Sequence, residues 1–138
     1  MTERYWIGID PGTHTGLAVW DSMHRTLVRV ETVRIHDALR IVEEYAGSHA
    51  VKVVFEDARQ RKWYGKGDVT SKIQGAGSIK RDCAIWEDFL TDKRIPFWAK
   101  PPAKGMTKPK PEYFARLTGW TERTSEHARD AAMLVVGK

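Results

Sequence analysis

The 138-residue chain has one cysteine, Cys83. A single thiol excludes an internal disulfide and any cysteine-rich metal site, and Cys83 reads as a small buried apolar residue. Long apolar runs are also missing. No stretch approaches the ~18 residues that cross a bilayer, so no membrane association is expected. Glu3 and Arg4 stand directly before the first strand-like run, which is unlike a secretory signal. The expected location is therefore cytosolic, or intracellular and virus-encoded. No internal repeat or interdomain linker is visible, and residues 1–138 are expected to form one domain. Charge of one sign is only slightly in excess, with 23 Lys and Arg against 18 Asp and Glu, a net of +5. Where the charge lies then matters more than its sum.

Two segments concentrate the positive charge. Arg59-Gln-Arg-Lys-Trp-Tyr-Gly-Lys66 carries four cations (Arg59, Arg61, Lys62 and Lys66) and no acid. Lys100 to Arg116 carries five cations against Glu112 alone. Any one such run can be plain solvated surface. Two of them, one interleaved with Trp63 and Tyr64, favour a polyanionic partner: cations neutralise phosphates and aromatic rings stack on bases.

The apolar run at residues 5–10 reads as a first strand. A turn at Gly12–Gly16 leads to a second strand beginning Leu17-Ala-Val-Trp20, and Arg25–Val33 reads as a third. Short links imply an antiparallel meander. Ile35, Ala38, Leu39, Val42 and Tyr45 recur at helical spacing, with Gly47 as a stop. Val51–Phe55 is a fourth strand, followed at once by Glu56 and Asp57. A polar loop then leads to a long helix whose apolar face is Ile73, Ala76, Ile79, Cys83, Trp86 and Leu90. Gly75 and Gly77 weaken that helix by up to ~1 kcal/mol each, tolerable where a backbone must approach something closely. Ile95–Trp98 is a short fifth strand, and Glu112–Leu117 a short helix. Ser125 can cap a last helix, with Glu126 in its first turn. The expected class is α/β, a mixed five-stranded sheet of three antiparallel strands and then parallel ones, flanked by helices.

Asp10 ends a strand that reads as buried on both faces, where an unpaired carboxylate is costly. A tight Asp-Pro-Gly turn is one explanation. The order of elements suggests another. Strand four follows a helical crossover and is expected to run parallel to strand one, which sets Asp10 and Glu56 side by side at the sheet edge that ligands prefer. In the last helix His127 and Asp130 are three residues apart and share a face. The six apolar residues Ala131–Val136 follow, so that end of the helix should be buried nearly all round. Separately, Asp130 can be an ordinary ion-paired acid and His127 a structural histidine. Together, Asp10, Glu56, His127 and Asp130 form a crowded acidic cluster that a cation would relieve. Oxygen-rich ligation suits Mg²⁺, with Mn²⁺ able to substitute, and two metals about 3.5–4 Å apart can clamp a phosphodiester.

Ile9-Asp-Pro-Gly12 with Thr15-Gly16, Phe55-Glu56, Ile73-Gln-Gly-Ala-Gly77, Ile95-Pro96 and His127-Ala-Arg-Asp-Ala131 together resemble the RuvC-type Holliday junction resolvases of the ribonuclease H-like superfamily. The resemblance implies a ribonuclease H-like fold and a crossover junction endodeoxyribonuclease, a nuclease of DNA recombination and repair that resolves four-way junctions by paired nicks. It implies Asp10 as the acid bridging two metals, Glu56 as the second acid, and His127 and Asp130 as the last-helix pair. Lys104 and Lys108 would stand for the basic residues before the penultimate helix, Gln74 for part of the DNA contact, and Trp63 or Tyr64 for an aromatic that stacks at the junction. It further implies a homodimer in a bacterial or phage setting. Other readings remain open: a RuvX-like or other nuclease of this fold acting on RNA, hybrid or branched nucleic acid, a phosphotransferase with a related Asp10–Gly16 phosphate loop, or a module that binds without cutting. The phosphotransferase needs a second duplicated domain, for which 138 residues are expected to leave no room.

Overall fold

Alternation along the first strand sets the layers. β1 (Tyr5–Asp10) sends Ile7 and Ile9 into one buried cluster and turns Gly8 toward the opposite face. These features come from a computed structural model that describes residues 3–60, 69–103 and 108–138, and of residues 69–76 the backbone only. β2 (His14–Asp21) runs antiparallel to β1, and β3 (Thr26–Arg34) antiparallel to β2. Helix α1 (Ile35–Ser48) carries the chain back to β4 (Val51–Glu56), which lies parallel to β1 as expected from a helical crossover. A single 3-10 turn, Ala58–Gln60, follows. Helix α2 (Val69–Asp92) then leads to β5 (Phe97–Lys100), parallel to β4. Helices α3 (Pro111–Thr118) and α4 (Glu126–Met133) complete the chain, and the strand order is β3-β2-β1-β4-β5.

Helices cover both faces. Ala38, Ile41 and Val42 of α1 and Cys83, Trp86 and Leu90 of α2 join Ile7, Ile9, Leu17, Val19, Val53 and Phe55. On the other face Phe114 of α3 and Ala128, Ala131 and Ala132 of α4 meet Ala18, Trp20 and Val54. Cys83 is fully buried, as its reading as a core residue requires, and burial pushes its thiol up from the ordinary value.

Three elements differ from the sequence reading by two residues or more. β2 begins at His14, so Gly16 is a strand residue and the turn is confined to Pro11–Thr13. Gly16 is there for space: a Cβ on it would fall on the carbonyl oxygen of His127. β5 begins at Phe97 rather than Ile95. Pro96 has no N–H to donate to a ladder, and its carbonyl instead accepts the Val53 N–H at 3.0 Å. The helical part of the last segment stops at Met133, and Met133 and Val136 are only half-buried. Met133 borders an open cavity at the end of the sheet. The long α2 matches expectation, but Gly77 answers no close approach, since an added Cβ there would meet nothing within 4 Å.

Candidate metal site

The site is built where two parallel strands stop together. The β1–β4 register ends at Ile9 opposite Phe55, and the next residues are Asp10 and Glu56. Asp10 has the parity of Gly8, and Glu56 that of Val54, so both carboxylates leave the sheet on the face covered by α4. The strand end is fixed from behind: the buried Thr15 hydroxyl donates to the Gly12 carbonyl at 2.7 Å, closing the turn after Asp10.

Helix α4 lies directly against β1 and β2, which is possible because Gly8 and Gly16 lack side chains. A Cβ on Gly8 would strike the Ala131 carbonyl oxygen, and one on Gly16 the His127 carbonyl. The Ser125 hydroxyl caps the helix by accepting the Ala128 N–H at 3.1 Å, and also pairs with Thr32 on β3. This seating brings His127 Nδ1 to 2.9 Å from Asp10 Oδ2. One ligand atom each from Asp10, His127 and Asp130 lies within 4.8 Å of the others. Glu56 borders the same cavity, of about 640 Å³, with Asp10, His127 and Asp130.

Charge in the cluster is balanced by Lys108, whose Nζ lies 3.0 Å from Asp130 Oδ2 and 2.9 Å from Glu126 Oε1. Burial lifts the Asp10 carboxyl above its ordinary value. The His127 hydrogen bond and charge oppose that shift, the Asp130 charge adds to it, and Lys108 draws it down. Lys108 is held above the ordinary lysine value by Glu126 and then Asp130, and Glu126 below the ordinary carboxylate value by Lys108. Two carboxylate oxygens and an imidazole nitrogen, with a third carboxylate on the next strand, suit a divalent cation that prefers oxygen donors. A group pushed toward holding a proton is also one that a bound cation would stabilise as the anion.

Of the residues expected at a site, the fold gathers Asp10, Glu56, His127, Asp130 and Lys108 around one cavity. Arg59 borders it too, but its guanidinium is engaged by Asp57 at 2.7 Å and by Glu87 at 2.7 Å. Its charge is thus committed to tying the end of β4 to α2. Arg61, Lys62, Trp63, Tyr64, Lys66 and Lys104, and the side chain of Gln74, lie outside the described residues.

Sequence reasoning missed two contributors. Asp57 is buried and receives the Arg59 guanidinium, the Arg59 N–H and the Gln60 amide, which hold its carboxyl below the ordinary value against the effect of burial. Its place beside Glu56 was visible, but its inward direction was not. Arg129 lies between the two candidate ligands of α4. It donates to the carbonyls of Pro109 and Thr124, both at 3.0 Å, and so brings the segment carrying Lys108 against Asp130. No spacing rule connects residues 20 apart in an irregular segment.

A mixed sheet in the order β3-β2-β1-β4-β5, with acids at the ends of its two central parallel strands and on the closing helix, defines a ribonuclease H-like fold. Within that class the chain is similar to T. thermophilus RuvC, solved in complex with a Holliday junction substrate. The TM-score is 0.60 at 17% identity, over 96% of this chain and 90% of that one. The chain has a RuvC-like fold. No protein-family model and no curated protein matches it. Among the described residues, no helix is long and apolar enough to cross a membrane.

Proposed function

We propose that the chain is a metal-dependent endonuclease, a single RuvC-like domain over residues 1–138 that acts as a homodimer and nicks opposed strands of four-way DNA junctions. One observation carries the reading: donor atoms of Asp10, His127 and Asp130 converge within 4.8 Å on a RuvC-like fold. Asp10, Glu56, Asp130 and His127 would hold Mg²⁺, two ions per site, with Mn²⁺ able to substitute. The bound cations would supply Lewis-acid polarisation of the phosphodiester and of the attacking water. The chain's own groups do the rest. Asp10 is oriented by His127 Nδ1, which leaves Nε2 as the ring nitrogen that can take or give a proton in the cavity. Lys108 fixes Asp130 and adds positive charge where a phosphate would enter. Arg61, Lys62, Lys66 and Lys104 would contact the backbone, with Gln74, Trp63 and Tyr64 at the crossover. A two-fold enzyme matches a two-fold junction.

The test is incubation with labelled four-way junction, linear duplex and RNA–DNA hybrid, with Mg²⁺ or with EDTA. Paired, symmetric, Mg²⁺-dependent nicks in the junction are expected. Absence of cutting on every substrate overturns the enzymatic reading. Equal cutting of junction and duplex overturns junction specificity, and preference for the hybrid transfers the activity to RNA.

A further inference from the structure

The face of the sheet that carries Asp10 and Glu56 does not end at the cavity. On β5, Trp98 and Lys100 point to that face, because Phe97 and Ala99 pack into the opposite core. Lys100 borders the cavity itself. Four residues down the neighbouring strand, Lys52 shares the face with Glu56, and Trp6 is its partner on β1. Lys138 returns to the same place after α4. Its Nζ lies 5.8 Å from the Trp6 ring centre and 5.7 Å from that of Trp98. Lys52 stands 5.6 Å from the Trp6 ring, and Lys100 5.7 Å from Trp98.

Three lysines are thus held over two indoles. Among the described residues none of the three makes an ion pair, whereas Arg59 and Lys108, which border the cavity, are each engaged by two acids. Trp98 is 43% exposed on the edge strand. Lys100, on the edge strand β5, also discourages edge-to-edge pairing, and the three lysines repel a second copy presenting the same strip. What the charge attracts is a polyanion. The strip runs about 13 Å from Lys100 to Lys52 at ~3.3 Å per strand residue, a length facing about four phosphates of one DNA strand.

We propose that Trp6, Lys52, Trp98, Lys100 and Lys138 form a track for the backbone of a nucleic-acid arm leaving the catalytic edge, with the exposed Trp98 ring set against its sugars or an unpaired base. The inference rests on the proposed nuclease reading and extends it to a surface outside the acidic cluster. Its test measures binding without cutting. Asp10→Asn protein in EDTA is titrated with labelled four-way junction and duplex at several salt concentrations. The same measurement is made with Lys52→Gln and Lys138→Gln added together, with Trp98→Ala added, and with the control pair Arg40→Gln and Lys93→Gln on the opposite helical layer.

The strip pair is expected to weaken binding at least fivefold and to reduce the slope of log affinity against log salt by about 1.8, at 0.9 per lost phosphate contact. Trp98→Ala is expected to weaken binding further. The control pair, with the same change in net charge, is expected to leave affinity unchanged. Unaltered affinity and slope in the strip pair overturn the proposal, as does an equal loss in the control pair. The lysine variants keep the test intact if Trp98→Ala melts early. Wild-type protein that cuts nothing, combined with the expected binding losses, defeats the nuclease reading and leaves the track. Efficient junction cutting with undiminished binding by the strip pair defeats the track alone.

Discussion

Asp10 is a carboxylate that the fold half-removes from water and then supplies with a neighbour. Its side chain is 20% exposed, and the His127 ring is its hydrogen-bond partner. Loss of even an outer-shell partner of a metal ligand costs about 10–100-fold, so Asp10→Asn is expected to lower the junction cutting rate by more than ~100-fold. Junction binding should persist, because the substituted group is neither a cation nor an aromatic. A cleavage time course and a gel shift on the same preparation check both halves. His127 should be less absolute, since Asp in its place keeps an oxygen ligand. His127→Asp is expected to retain more activity than His127→Ala and to lose any limb of the pH–rate profile due to imidazole. Equal rates for the two variants at every pH would remove His127 from the mechanism.

Elements are held together here by two devices at opposite ends of the sheet. At the end that carries Asp10 and Glu56, α4 reaches its position only because β1 and β2 present Gly8 and Gly16 to it. The clashing atoms are backbone carbonyls, which cannot rotate away as a side-chain tip can. Gly16→Ala is therefore expected to destabilise by about 1–3 kcal/mol, the usual range for overpacking, and to displace His127 from Asp10. Urea titration measures the first effect and the cleavage rate the second; a neutral Gly16→Ala would mean that α4 does not lie directly against the strands.

At the other end Asp21 ties the β2–β3 turn to Arg4, the residue before β1. It accepts from the Arg4 guanidinium at 3.1 and 3.2 Å and from the Met23 N–H at 3.0 Å, and its second oxygen pairs with His24 Nδ1 at 2.8 Å. The His24 contact is the largest cause holding the Asp21 carboxyl well below its ordinary 3.8, and Arg4 and the backbone N–H groups help to outweigh burial. A lowered folded value means that the stabilisation is full above the unfolded value and fades as pH falls through the folded one. Asp21→Asn is thus expected to lower the melting temperature at pH 7, with the gap to wild type closing as the pH falls below 3.8. A gap that does not change with pH would show that the charge is immaterial there.

For the whole molecule, the distribution of charge matters more than its total. The side that carries Asp10 and Glu56 combines acids that gather at the sheet edge with cations such as Lys100 and Lys108 beside them. In the segment with Trp63 and Tyr64, cations should add salt-sensitive affinity for any nucleic acid, and aromatic rings should act only where bases are unstacked. Stacking contributes about 1–3 kcal/mol per base. Trp63→Ala with Tyr64→Ala is expected to weaken junction binding or cutting tenfold or more while sparing duplex binding. Arg61→Ala with Lys62→Ala should weaken both and flatten the salt dependence. Gel-shift titrations on the two substrates separate these outcomes. A uniform loss in the aromatic variant, or a clearly lower melting temperature, would assign those rings to packing.

Much of this was written in local pattern. The apolar run Tyr5–Ile9, the helical periodicity of α1 and α2, and the run Val51–Phe55 each carry their own period, and a helical crossover between strands constrains direction, so the β1–β4 pair and its two terminal acids followed from element order alone. The capping of α4 by Ser125 and the shared face of His127 and Asp130 are equally local. What the sequence could not settle was anything depending on contact between distant backbones. Gly16 reads as a turn residue until α4 is laid across it, and Ile95 reads as strand until Pro96 is asked for a hydrogen bond. The partners of cations are equally non-local. Arg59 and Lys108 look alike as members of basic segments, yet Arg59 is bound to Asp57 and Glu87, and Lys108 enters the acidic cluster through the hold of Arg129 on Pro109. Local periodicity fixes which face a residue takes. Only the packed tertiary structure fixes what stands opposite that face, because that depends on how closely two separate elements can approach.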